Sequence, residues 1–109
     1  MEYNNKIIAS HWAIAGNHYC GDHWEIADTP FKERMETIAK VGFNGAGFVE
    51  ADLLNTKNTI GYKEAKKICD ANGITEIEVE VLEDWFDYDN KAAQETRKNV
   101  FEAAEQLGA

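Results

Sequence analysis

The sequence predicts an α/β fold of three parallel βα units, and three observations carry that prediction. Short apolar runs of strand length are each followed by a stretch whose apolar residues recur at helical spacing. Glycine stops, at Gly42, Gly73 and Gly108, close these helical stretches. Connections that hold a helix between successive strands make those strands parallel, with right-handed crossovers. The spacing between units is irregular, which fits βα units rather than a solenoid array.

The first strand is expected near residues 7–12, where Ile7-Ile8-Ala9-Ser10 leads to His11-Trp12. From Ala13 to Asp28 the chain has no period and reads as a long loop, a kind of segment that is often functional. The first helix, 30–41, opens with Thr29 as N-cap and Pro30 at the first helical position. Its stripe is Phe31, Met35 and Ile38. A second strand, 43–50, follows, with Gly45, Ala46 and Gly47 small enough for backbones or ligands to approach closely. Leu53 to Thr59 reads as a polar linker. A second helix, 60–72, shows Tyr62, Ala65, Ile68 and Cys69 on one face and ends at Asn72-Gly73, with Ile74 as the apolar residue after the cap. In the third strand, 75–83, Ile77, Val79 and Val81 alternate strictly with Glu76, Glu78 and Glu80. The last helix, 90–107, starts near Asp89 or Asn90 and lines its core face with Ala93, Val100, Ala104 and Leu107. Residues 1–109 thus read as one domain.

The formal net charge of -9 argues against nucleic acid or an anionic membrane as partner. The two cysteines, Cys20 and Cys69, fit no zinc or redox spacing, so reduced thiols are expected. Neither a signal-peptide core nor a membrane-spanning run is present, and a soluble cytoplasmic chain is expected. A phosphate-binding glycine loop and a nucleophile elbow are also missing, since Gly42, Gly45 and Gly47 lie in a helix-to-strand turn and no serine sits between paired glycines.

Parallel sheets meet their ligands at the carboxyl ends of the strands. The candidate site therefore gathers His11 and Trp12 from the first strand end, Glu50 and Asp52 from the second, and Glu80, Glu83, Asp84 and Trp85 from the third. Carboxylates and imidazole carry protons, and an indole face suits the C–H surface of a carbohydrate ring. The glutamates of the third strand leave two alternatives open: a water-exposed face, or a barrel lumen in which Glu80 borders the site and Glu78 needs a cation from another strand. His18-Tyr19-Cys20-Gly21-Asp22-His23 holds metal-ligating residue types in no standard zinc spacing. It reads better as a lid, with Tyr19 and Trp24 as aromatic contacts.

Three stretches, Ile7-Ile8-Ala9-Ser10-His11-Trp12, Lys40-Val41-Gly42-Phe43-Asn44-Gly45-Ala46-Gly47-Phe48, and Asn72-Gly73-Ile74 leading into Glu78-Val79-Glu80, resemble the sugar phosphate isomerase/epimerase group, the xylose-isomerase-like TIM barrels. The likeness spans the chain but only as the first three of eight units, so it implies a partial TIM barrel. Such members bind a divalent metal (Mn, Mg, Co or Zn) and move a proton between adjacent carbons of a keto or aldo sugar. Their metal ligands and paired carboxylates mostly lie on later strands. The resemblance thus implies no complete metal site in this chain; it puts His11, Trp12, Glu50, Glu80 and Trp85 along the pocket. Gly47 stands where many members carry a glutamate.

The resulting expectation is the N-terminal part of an isomerase or epimerase barrel. Glu50 and Glu80 are its candidate catalytic acids, and His11, Trp12, Asp52, Asp84 and Trp85 its carbohydrate contacts. Open sheet edges would make the chain a truncated product or drive it to a homo-oligomer. The alternative is a non-catalytic α/β module that binds a ligand or a protein. A metal-dependent DNA repair nuclease on the same barrel fits the negative charge poorly.

Overall fold

The computed structural model describes residues 5–19 and 25–109. Its elements are β1 (Ile8–Ala9), α1 (His11–Ile14), α2 (Phe31–Val41), β2 (Gly45–Val49), α3 (Glu50–Thr59), α4 (Tyr62–Ala71), β3 (Glu76–Glu80) and α5 (Lys91–Leu107). The three strands form one parallel sheet in the order β1-β2-β3, with Ile8 opposite Gly45 and Gly47 opposite Glu78. This is the α/β architecture of three parallel strands that the periodicity predicts.

Three chain segments depart from expectation. The first strand is only two residues long, because the chain turns at Ser10 straight into α1, which carries His11 and Trp12 on a helical turn. The first long helix begins after Pro30, which takes the cap position with no side-chain cap, so Thr29 is not the cap. The stretch from Leu53 to Thr59 is not a linker but most of α3, which starts directly at the end of β2. Its inward residues Asp52, Leu53 and Thr56 do follow helical spacing, yet two of the three are polar, and a pattern of apolar residues misses them.

The helix stops behave as predicted, and all three use one geometry. Gly42, Gly73 and Gly108 have φ of 102°, 69° and 73°, left-handed values that a side chain disfavours. The amide after each glycine reaches back to a carbonyl of the last turn: Phe43 to Ile38 at 2.9 Å, Ile74 to Cys69 at 2.9 Å and Ala109 to Ala104 at 2.9 Å. At the other end of α5, the Asn90 side chain accepts from the Ala93 amide at 3.0 Å. Asn90→Ala is expected to cost about 1 kcal/mol, read as a lower Tm by circular dichroism; an unchanged Tm would remove the cap from the account.

All the long helices pack on one face of the sheet. Ala46 and Phe48 of β2 and Ile77 and Val79 of β3 meet Phe31, Met35, Ile38, Leu53, Ala65, Cys69 and Leu107 there. Cys69 is free and fully buried, and burial pushes its thiol up to about 11, so it is a packing residue. The other face carries Gly45, Gly47 and the three glutamates of β3, by the alternation of the strands. A Cβ at Gly45 would stand 2.5 Å from the Glu76 carbonyl oxygen, so the close approach of β2 to β3 requires glycine there. No helix among the described residues is long and apolar enough to cross a membrane.

One buried ion pair ties α2 to α3. Arg34 and Asp52 are 4% and 0% exposed, and two bonds join them: Nη1 to Oδ2 at 3.0 Å and Nη2 to Oδ1 at 3.2 Å. The Ala27 amide adds a third donor to Asp52 at 3.0 Å, which anchors the loop before α2. The guanidinium also lies over the rings of Phe31 and Phe48, at 5.6 and 6.0 Å.

Candidate functional site

At the carboxyl ends of the strands, a cavity of about 220 Å³ opens between α1, β2, β3 and α5. Its wall carries the indole of Trp12, the carboxylates of Glu25, Glu50, Glu80 and Glu83, the Thr96 hydroxyl, and the apolar Val49 and Val81. No Lys, Arg or His is among these lining residues.

Glu50 owes its position to the abrupt join between β2 and α3. Val49 ends the strand in extended geometry and Glu50 is the first residue of the helix, so its side chain starts at the strand end. Both carboxylate oxygens are held by α5: Thr96 Oγ1 donates to Oε2 at 2.9 Å and Asn99 Nδ2 to Oε1 at 2.9 Å. Each oxygen has a second lone pair, so a ligand hydroxyl can still donate to a carboxylate fixed in this way. Glu80 is the last residue of β3, followed by a cis peptide to Val81. Two successive strand ends thus put two carboxylates on one cavity, with an indole beside them.

The other expected contacts lie elsewhere. Asp52 is one residue further round the helix than Ala51 and points inward, where Arg34 and the Ala27 amide consume it; with no accessible surface it meets no ligand. His11 is likewise fully buried. Its Nε2 lies 2.7 Å from the Glu25 carbonyl oxygen, its Nδ1 has no partner among the described residues, and its ring meets the Trp12 ring edge-on at 4.8 Å. Both side chains thus lie behind the pocket wall and not on it. Asp84 is an exposed turn residue with φ of 51°, and Trp85 is 60% exposed against Phe86; neither lines the cavity. Residues 20–24 of the expected lid, with Trp24, lie outside the described residues, and Tyr19 is exposed and apart from the cavity.

Burial lowers the pKa of His11, and the charge of nearby Asp52 only partly opposes this. A histidine lowered in the folded state contributes stability that is complete above its ordinary value of 6.5 and is lost as pH falls. Urea unfolding is therefore expected to show falling stability below pH 6.5, and His11→Gln should flatten that slope. An identical slope in the variant would count against the assignment.

Sequence reasoning missed Glu25, Thr96 and Asn99. Thr96 and Asn99 stand three apart on α5 and so share a face, but nothing local says that this face meets β2. Among the described residues, no group of three His, Cys, Asp or Glu side chains is arranged to hold a metal ion.

Comparisons with protein-family models, with curated proteins and with solved structures give no match to this chain.

Proposed function

We propose that this chain is the N-terminal part of a sugar phosphate isomerase/epimerase-like barrel and that its strand-end cavity takes the hydroxyl-bearing part of a carbohydrate. The observation that carries the reading is the meeting of Glu50, Glu80 and Trp12 on one cavity wall. A cavity of about 220 Å³ is smaller than the usual ligand site of about 300–1,000 Å³, which suits one edge of a pocket shared with further strands. Carboxylates accept from sugar hydroxyls, and the indole covers the ring's C–H face. With four carboxylates and no cation on this wall, the phosphate of a sugar phosphate would point away from it.

Proton transfer between adjacent sugar carbons needs a base that removes a proton beside the carbonyl and an acid that returns one to the neighbouring carbon. Glu80 suits the mobile role, since no described side chain bonds it, whereas Glu50 is held by two donors and suits positioning. A divalent metal in such a barrel would draw its ligands from other strands.

The test is tryptophan fluorescence titration with aldoses and ketoses, with Trp12→Phe to identify the reporter. Glu50→Gln and Glu80→Gln are each expected to weaken binding about tenfold, the loss of one charged hydrogen bond. No saturable signal at millimolar sugar, or equal affinity in both variants, would overturn the reading.

A non-catalytic ligand-binding module is the second reading, favoured by the fixed position of Glu50, which Thr96 and Asn99 hold by one hydrogen bond to each oxygen. Turnover of a sugar phosphate with added manganese, abolished by the same two substitutions, would defeat it.

A further inference from the structure

We infer that the outer edge of β3, the edge on which the proposed barrel would continue, docks an extended basic segment, one in which lysine or arginine alternates with apolar residues. Strand β3 pairs with β2 on one side, and among the described residues no strand pairs with its other side. Its backbone is thus half a ladder, and extended chains bind such edges through main-chain hydrogen bonds.

Charge decides the occupant. Glu76, Glu78 and Glu80 occupy alternate positions and so project from one face of the strand. The chain itself supplies one cation to this row: Lys6 is ion-paired with Glu76. No ion pair or hydrogen bond within the described residues serves Glu78, which is exposed. A neighbouring strand with basic residues at every second position would set a cation beside each glutamate on this face. Its intervening apolar residues would lie on the helix side, beside Ile77 and Val79, which are only partly buried. A second copy of this chain is the wrong occupant at neutral pH. Two β3 edges would bring glutamate rows together, and like charges across a strand pair are destabilising; each chain also carries a net charge of -9.

The probe is a fluorescein-labelled heptapeptide with lysine at every odd position and valine or threonine between, followed by anisotropy at low ionic strength. One control has the same composition with its lysines grouped at one end, and another is N-methylated at alternate backbone amides. The alternating peptide is expected to bind about tenfold more tightly than the grouped one, and Glu78→Lys to cost about tenfold, from the gain or loss of cross-strand charge pairs. N-methylation on the edge-facing side should abolish binding to the unaltered protein, a result independent of any variant's folding. Equal binding of alternating and grouped peptides, binding undiminished by N-methylation of each alternate set of amides in turn, or no binding of the alternating peptide would each overturn the proposal. Glu78 does not line the strand-end cavity, so sugar binding and peptide binding succeed or fail separately.

Discussion

Asp52→Ala is expected to lower the unfolding free energy by about 3–5 kcal/mol, the usual cost of removing one partner from a buried ion pair. Arg34 is 4% exposed and its Nε has no partner among the described residues, so the substitution strands a buried cation. The Ala27 amide loses its acceptor as well. A folded domain has only about 5–15 kcal/mol in hand, so the loss is a large share of the total. Urea unfolding measures it directly. The paired replacement Arg34→Met with Asp52→Leu is expected to recover most of the loss, because apolar isosteres remove the desolvation cost together with the attraction. A change below about 0.5 kcal/mol for Asp52→Ala would place the pair among solvent-screened contacts and sink the argument.

Phe48→Ala is expected to cost a similar amount, about 3–5 kcal/mol, through lost burial and the cavity left behind. Phe48 is fully buried on β2, the middle strand of the sheet, and stacks on Phe31 at a centroid distance of 5.4 Å. Its ring also lies beneath the Arg34 guanidinium. The two largest effects therefore share a neighbour. In a double-mutant cycle with Asp52→Ala they should depart from additivity by at least about 0.5 kcal/mol, as contacting groups do. Strict additivity would show that the guanidinium and the ring stabilise the fold independently.

How much of this was legible in the sequence varies with the kind of signal. Glycine stops act within a few residues, so Gly42, Gly73 and Gly108 could be read directly, as could Asn90 at the start of α5. The small residues of β2 marked a close strand approach, and Gly45 requires one. Helix α3 was hidden because its inward face is written with Asp52 and Thr56, whose burial depends on Arg34 from a different helix. The same cause sets Asp52 behind the cavity wall and not on it. An acid at a strand end and an acid two residues onward look alike in sequence; only the partner distinguishes them. Trp12, Glu50 and Glu80 were readable because strand ends converge in any parallel sheet, whereas Thr96 and Asn99 reach the site through the docking of α5, which no local pattern announces.

That docking gives the pocket a place in time as well as in space. Glu50 is held by residues 46 and 49 positions later in the chain, and Lys57 of the same helix meets Glu102 of α5 at 2.8 Å. The wall of the cavity is therefore finished only when the last helix has settled, and a chain still emerging from synthesis has no such wall until residue 99 is free to pack. Conversely, a ligand seated on Glu50 favours the settled state by mass action. Its presence should be felt as slower amide exchange along Lys91–Leu107, a helix whose far end never touches the ligand.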